Sequence, residues 1–148
     1  MSVLVVVLSV LLVLVLALCC LLAFRVAQLR RGGTPVLLRV LPADVDEGWR
    51  HGTVHYTDEA LRYYRLSSLR PGPSRTLVRR RLDISGRRRP VGTERDILEG
   101  MVILEVHQSA SSGDDRTYEI AFDPGGVTAF QSWVESRRSL RSQNRRSA

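Results

Sequence analysis

Lysine is missing from this chain: all 22 basic residues are arginine. That absence removes the lysine of a Walker-type phosphate loop, Schiff-base chemistry and a lysine general base together. Cysteine is nearly absent as well. Cys19 and Cys20 are adjacent and lie inside an apolar run, so they offer the downstream chain neither a zinc site nor a workable disulfide. They read as two small apolar residues, and a cysteine-free remainder suits a reducing compartment. No G-x-S-x-G, H-E-x-x-H, G-x-G-x-x-G or C-x-x-C occurs. These absences predict no enzyme, no metal centre and no cofactor.

Charge is missing from one long stretch. Val3 to Phe24 is twenty-two consecutive uncharged residues, with Ser9 its single hydroxyl. As a helix it would reach roughly 33 Å, enough to cross the hydrocarbon core of a bilayer. A cleaved signal wants a basic n-region and a small-residue cleavage site, and neither is evident. Leu16-Ala17-Leu18-Cys19 has the outline of a lipobox, but Leu18 is bulky where a small residue is usual. Leu and Val cover the whole circumference, which argues against a buried helix of a soluble protein. Arg25, Arg30 and Arg31 flank the run on its C-terminal side. Positive flanks stay cytoplasmic, so the sequence predicts a permanent single-pass anchor in the plasma membrane, N-terminus outside and everything after Phe24 in the cytoplasm.

Three segments follow: an anchor with its basic flank over 1–31, a domain over 32–136, and a polar, Arg-rich, disordered tail over 137–148. After Gly32-Gly33-Thr34-Pro35, short alternating runs predict β-strands: Val36–Val40, Trp49–Tyr56, Leu61–Leu66, Leu77–Ile84, Met101–Gln108 and Thr117–Phe122. Ser85-Gly86 is expected to turn the chain after the fourth. The period then changes. Asp123-Pro124 suits an N-cap and first helical residue, and Val127, Phe130 and Val134, with Trp133 beside them, form the apolar stripe of a helix ending near Arg137. Six or seven antiparallel strands with one terminal helix predict a mainly-β, pleckstrin-homology-like domain; a β-sandwich or an oligonucleotide-binding barrel is the alternative.

Several separated motifs carry a resemblance: the N-terminal span, Gly48-Trp49-Arg50-His51-Gly52, Tyr63-Tyr64-Arg65 through Ser68-Leu69, Arg87-Arg88-Arg89-Pro90, and Phe130-Gln131-Ser132-Trp133-Val134-Glu135-Ser136. Together they resemble an actinobacterial family of short single-span membrane proteins catalogued as a domain of unknown function. The resemblance implies a bacterial plasma membrane and a gene neighbourhood often near the ATP synthase, and it supplies no catalytic residues.

His51 and His55 would share a strand face about 13 Å apart, too far for one metal ion to bridge. Asp44, Asp46 and Glu47, and Asp114-Asp115, read as solvated turn formers. Trp49 and Trp133 read as core residues, with interfacial anchoring as the rival. Arginine is the strongest signal. Arg75–Arg95 holds eight Arg against Asp83 and Glu94, and Arg137–Ala148 five Arg and no acid. Arg79 and Arg81 are expected on one strand face and Arg87, Arg88 and Arg89 at the following turn. Such a cluster beside a bilayer suits anionic lipid headgroups or a membrane protein complex, and a solvated face balanced by local acids is the plain alternative. Nucleic-acid binding is disfavoured, because few aromatics interleave with these arginines.

Overall fold

The computed structural model describes residues 2–30, 32–44 and 46–146, with the side chains of 28–30 and 137–146 outside that description. The chain forms two units, dividing after Gly33. The first is helix α1, Ser2–Arg30, whose leucines and valines stand exposed. Its one hydroxyl is satisfied internally: Ser9 Oγ donates to the Val5 carbonyl at 2.8 Å. No polar group of that side chain is then left for a hydrocarbon solvent to desolvate. Of the flanking arginines, Arg25 is half-buried, the Arg30 side chain is outside the described part, and Arg31 lies outside the described residues.

The second unit contains β1 Thr34–Val40, β2 Arg50–Tyr56, β3 Ala60–Arg65, β4 Arg75–Val78, β5 Leu82–Arg88, a short α2 Glu94–Ile97, β6 Val102–Gln108, β7 Arg116–Phe122 and α3 Pro124–Arg146. The seven strands form one sheet in the order β4-β3-β2-β1-β7-β6-β5. Every pairing is antiparallel. Edge residues Leu77 of β4 and Leu82 of β5 belong to the same buried cluster as Leu38, Ile120 and Phe130, so the sheet curls until its two edges share one core. This is the architecture the alternation predicted: a mainly-β domain of seven antiparallel strands closed by a C-terminal helix.

Inside the curl, Val36 and Leu38, Leu104 and Val106, and Tyr118, Ile120 and Phe122 project from alternate positions as the two-residue period requires. Helix α3 adds Val127, Phe130 and Val134 at the predicted spacing. Phe130 stacks on Phe122 with ring centroids 5.2 Å apart. Burying a side chain of that size contributes about 1.5–3 kcal/mol. Asp123 starts the helix as expected, its carboxylate accepting from the Gly126 N–H. Gly52 is required by packing, since a Cβ there would sit 2.3 Å from the Tyr63 ring and 2.5 Å from the Tyr64 carbonyl.

Three expectations are corrected. The fourth strand is not continuous from Leu77 to Ile84: a 3₁₀ turn at Arg79–Arg81 separates β4 from β5 and carries the chain from one sheet edge to the other. Ser85-Gly86 is not a turn but a bulge within β5, where the register against β6 slips between Ile84 and Gly86. Arg87 and Arg88 are therefore strand residues. Helix α3 does not stop near Arg137; its backbone continues to Arg146, and only 147–148 of the expected disordered tail fall outside the described residues. No Gly or Pro lies between Val127 and Arg146 to end it, and Arg, Gln and Leu propagate helix well.

Candidate functional site

The five arginines singled out by the sequence do not form one face. Arg79 turns inward at the 3₁₀ turn. Its guanidinium donates to the Trp133 carbonyl and Ser136 Oγ, donates to the Asp58 carbonyl at 3.1 Å, and lies 4.9 Å from the centre of the Trp133 ring. Trp133 Nε1 in turn donates to the Thr57 carbonyl at 2.8 Å. Arg79 thus pins α3 to the β2–β3 turn and is a structural residue, not part of a docking face.

Arg88 is the second departure. Before the bulge, Ile84 pairs with Val106 and faces the core; after it, Arg88 pairs with Ile103. Ile103 belongs to a separate buried cluster with Leu37, Trp49, Leu98 and Ala121, on the convex side of the sheet. One extra residue in the strand has therefore sent Arg88 to the opposite face, which is what a bulge does.

There it joins a buried ion network that the sequence reading missed. Arg88 grips Glu94 with both nitrogens of its fork, at 2.7 and 2.9 Å, and Glu119 from Nε and Nη2, at 2.8 and 3.0 Å. Arg39, opposite Glu119 in the β1–β7 register, donates Nε to it at 2.6 Å and lies 3.4 Å from Glu94. Arg39, Glu94 and Glu119 are 5%, 0% and 4% exposed. The remaining Arg39 donors reach the Asp44 carbonyl at 2.8 Å and the Glu47 carbonyl at 3.5 Å, and its guanidinium covers Trp49 at 4.7 Å. The Val91 N–H caps Glu94 at 3.2 Å.

Two arginines and two glutamates balance in charge, and they fasten two of the connections, 41–49 and 89–101, to the sheet. The Arg88 hydrogen bonds hold Glu94 below the usual carboxylate range against the cost of burying it. Burial pushes Glu119 upward, but hydrogen bonds and charge from Arg88 and Arg39 outweigh it and hold this carboxyl low as well. The hydrogen bonds Arg88 donates to Glu94 and Glu119 raise it in turn. Glu94, Glu119 and Arg88, each favoured in its charged form, are poorly suited to proton transfer at neutral pH. The arrangement is a scaffold, and the acidic residues 44 and 47 serve it through their carbonyls.

Arg81, Arg87 and Arg89 are exposed, as is Arg80 next to Arg81. Arg87, Arg89 and Arg95 line an open cleft of about 790 Å³ that Asp96 and Glu99 share. His51 and His55 both lie on β2, and the His55 ring packs edge-on against Tyr64 at 5.2 Å. Among the described residues, no group of three or more His, Cys, Asp or Glu is placed to hold a metal ion. Trp49 is buried and Trp133 packs against the main core.

An apolar N-terminal helix joined to a seven-stranded curled sheet with a terminal helix defines the class. Ser2–Ala27, near the N-terminus, is the one helix among the described residues long and apolar enough to cross a membrane. The chain belongs to the family described as protein of unknown function (DUF2550), whose model matches residues 11–140. An uncharacterized protein of Mycobacterium leprae is 47% identical over 126 residues, and one of Mycobacterium tuberculosis 46% over 125; each match covers 84% of both chains. No solved structure matches the chain.

Proposed function

We propose that this chain is a single-pass membrane protein whose domain, held at the cytoplasmic face, is a non-enzymatic docking module for anionic lipid or for a protein of a membrane complex. The exposure of Arg81, Arg87 and Arg89 in a domain that begins directly after an apolar helix carries the reading. Arg25, Arg30 and Arg31 follow the helix and favour a cytoplasmic domain. The strand order and closing helix support a pleckstrin-homology-like description of the module. Each basic residue near an anionic surface contributes about 1 kcal/mol; Arg87 and Arg89 line one cleft, and Arg81 stands at the opposite end of β5.

The test is sedimentation of segment 34–148, which carries its own core, with vesicles containing anionic lipid. Retention at low salt, release as salt rises, and loss of retention in the triple variant Arg81→Gln, Arg87→Gln, Arg89→Gln are expected. Retention unchanged by the triple variant would remove this surface from the account. Strong single-strand nucleic-acid binding, surviving moderate salt in a gel shift, would replace the lipid reading with the nucleic-acid one.

A further inference from the structure

The β1–β4 half of the sheet has one end covered by α3, where Trp133 reaches Thr57. At the other end β1 finishes at Val40, β2 begins at Arg50, β3 finishes at Arg65 and β4 begins at Arg75. The register fixes which way these arginines face. Arg50 lies opposite Leu38 and Arg75 opposite Tyr63, while Arg65 pairs with Gly52, itself opposite Val36. Leu38, Tyr63 and Val36 all face the main core. Residues directly opposite one another in a sheet project to the same side. Arg50, Arg65 and Arg75 therefore stand on the core-facing side of the sheet, just where the apolar side chains stop.

A cleft of about 400 Å³ opens there, walled by Pro71 and Pro73 of the β3–β4 connection, and no Asp or Glu is among the described residues that line it. Tyr63 lines it, and the Tyr63 hydroxyl donates to the Arg50 carbonyl at 2.7 Å. Burial pushes this phenol up to about 12, with the Arg65 and Arg50 charges working against the rise, so both guanidiniums are within electrostatic reach of it. Arg65 Nε rests on Ser67 Oγ at 2.7 Å and Ser74 Oγ accepts from the Arg65 N–H at 3.2 Å, which holds the loop to the strand end. The cleft also meets Arg39, but that guanidinium is spent on Glu119 and Glu94. Like charges gathered without a carboxylate disfavour the empty site and favour an anion within it. Guanidinium forks match phosphate oxygens in geometry, and the cleft volume falls within the range of small-ligand sites.

We infer that this cleft binds a group carrying more than one phosphate. The source is either a soluble polyphosphate or a lipid headgroup with two phosphates. None of Arg81, Arg87 and Arg89 lines the cleft, so this site and the surface described above stand or fall separately.

The experiment titrates inorganic tripolyphosphate into the full-length chain held in phosphatidylcholine nanodiscs at low salt, followed by calorimetry. Saturable binding is expected. The triple variant Arg50→Gln, Arg65→Gln, Arg75→Gln should weaken it by about tenfold or more, and the equally discharged triple at 81, 87 and 89 by less than about threefold. Where the first triple does not fold, Arg75→Gln alone is read against Arg87→Gln by the same criterion. In a second arm the discs carry cardiolipin: displacement of tripolyphosphate identifies the headgroup as occupant, and undiminished binding identifies a soluble phosphate. Absence of saturable binding of either probe, or equal weakening by the two triples, overturns the site.

Discussion

Arg87 and Arg88 are consecutive residues of one strand, with the same charge and the same flexible stem, yet they belong to different parts of the molecule. Arg88 bonds two glutamates beneath the loops on the convex face, and Arg87 is exposed at the rim of a cleft. The one-residue bulge at Ser85-Gly86 places Arg88 on the face that holds Glu119. A run of arginines is thus a mixture of scaffold and surface, and the strand register sorts one from the other. Arg79 and Arg88 secure connections to the sheet, whereas Arg81, Arg87 and Arg89 are exposed.

The sharpest break in that comparison comes from removing one member of the buried network. Glu119→Ala leaves Arg39 and Arg88 sharing Glu94 as their remaining carboxylate in the network, an excess buried charge that should cost about 3–5 kcal/mol in urea unfolding of segment 34–148. Replacing all four charged groups together, with Met at 39 and 88 and Leu at 94 and 119, should cost far less, because no charge is then left buried alone. A result in which the quadruple variant is the worse of the two would show that the network contributes more than mutual compensation.

Acid titration is the next largest effect. Glu94 and Glu119 are held below their ordinary values in the folded state. Each therefore contributes stability that is fully present above the unfolded carboxyl value of about 4.3 and is lost as pH falls toward the lower folded value. The unfolding midpoint should fall steeply below about pH 4, and Glu119→Gln should flatten that slope.

Arg79→Gln removes the stacking on Trp133 and the donors to its carbonyl, and should cost about 1–2 kcal/mol, with added solvent exposure of Trp133 read from its fluorescence. Smallest of all, Arg81→Gln and Arg89→Gln should each shift stability by no more than about 0.5 kcal/mol while weakening vesicle retention by about 1 kcal/mol.

Much of the fold was legible in local pattern. The two-residue alternation through Val36, Leu38 and Val40 and through Tyr118, Ile120 and Phe122 predicted the inward face, and Val127, Phe130 and Val134 predicted the stripe of α3. The break at Arg79–Arg81 was hidden, because Leu77 to Ile84 carries no Gly or Pro and Val78, Leu82 and Ile84 keep an even spacing across the arginines. The buried network was missed because Arg39, Arg88 and Glu119 are far apart in sequence and become neighbours only through pairing of β1 with β7, β7 with β6 and β6 with β5. A signal was present: the outward positions Leu37, Ile103 and Ala121 are apolar too, so the convex face had to be covered, and Arg39 and Glu119 sit within that covered row. The arginine mouth at Arg50, Arg65 and Arg75 is not legible in local pattern either, since residues 15 and 10 positions apart meet only when β2, β3 and β4 pair.

The most direct test sets the two neighbours against each other: urea unfolding of Arg87→Gln and Arg88→Gln in segment 34–148. Arg88→Gln should lose about 3 kcal/mol, because Glu94 is left buried without its fork, and Arg87→Gln should stay within about 0.5 kcal/mol of the parent. Equal losses in the two variants would contradict the division of these arginines into scaffold and surface.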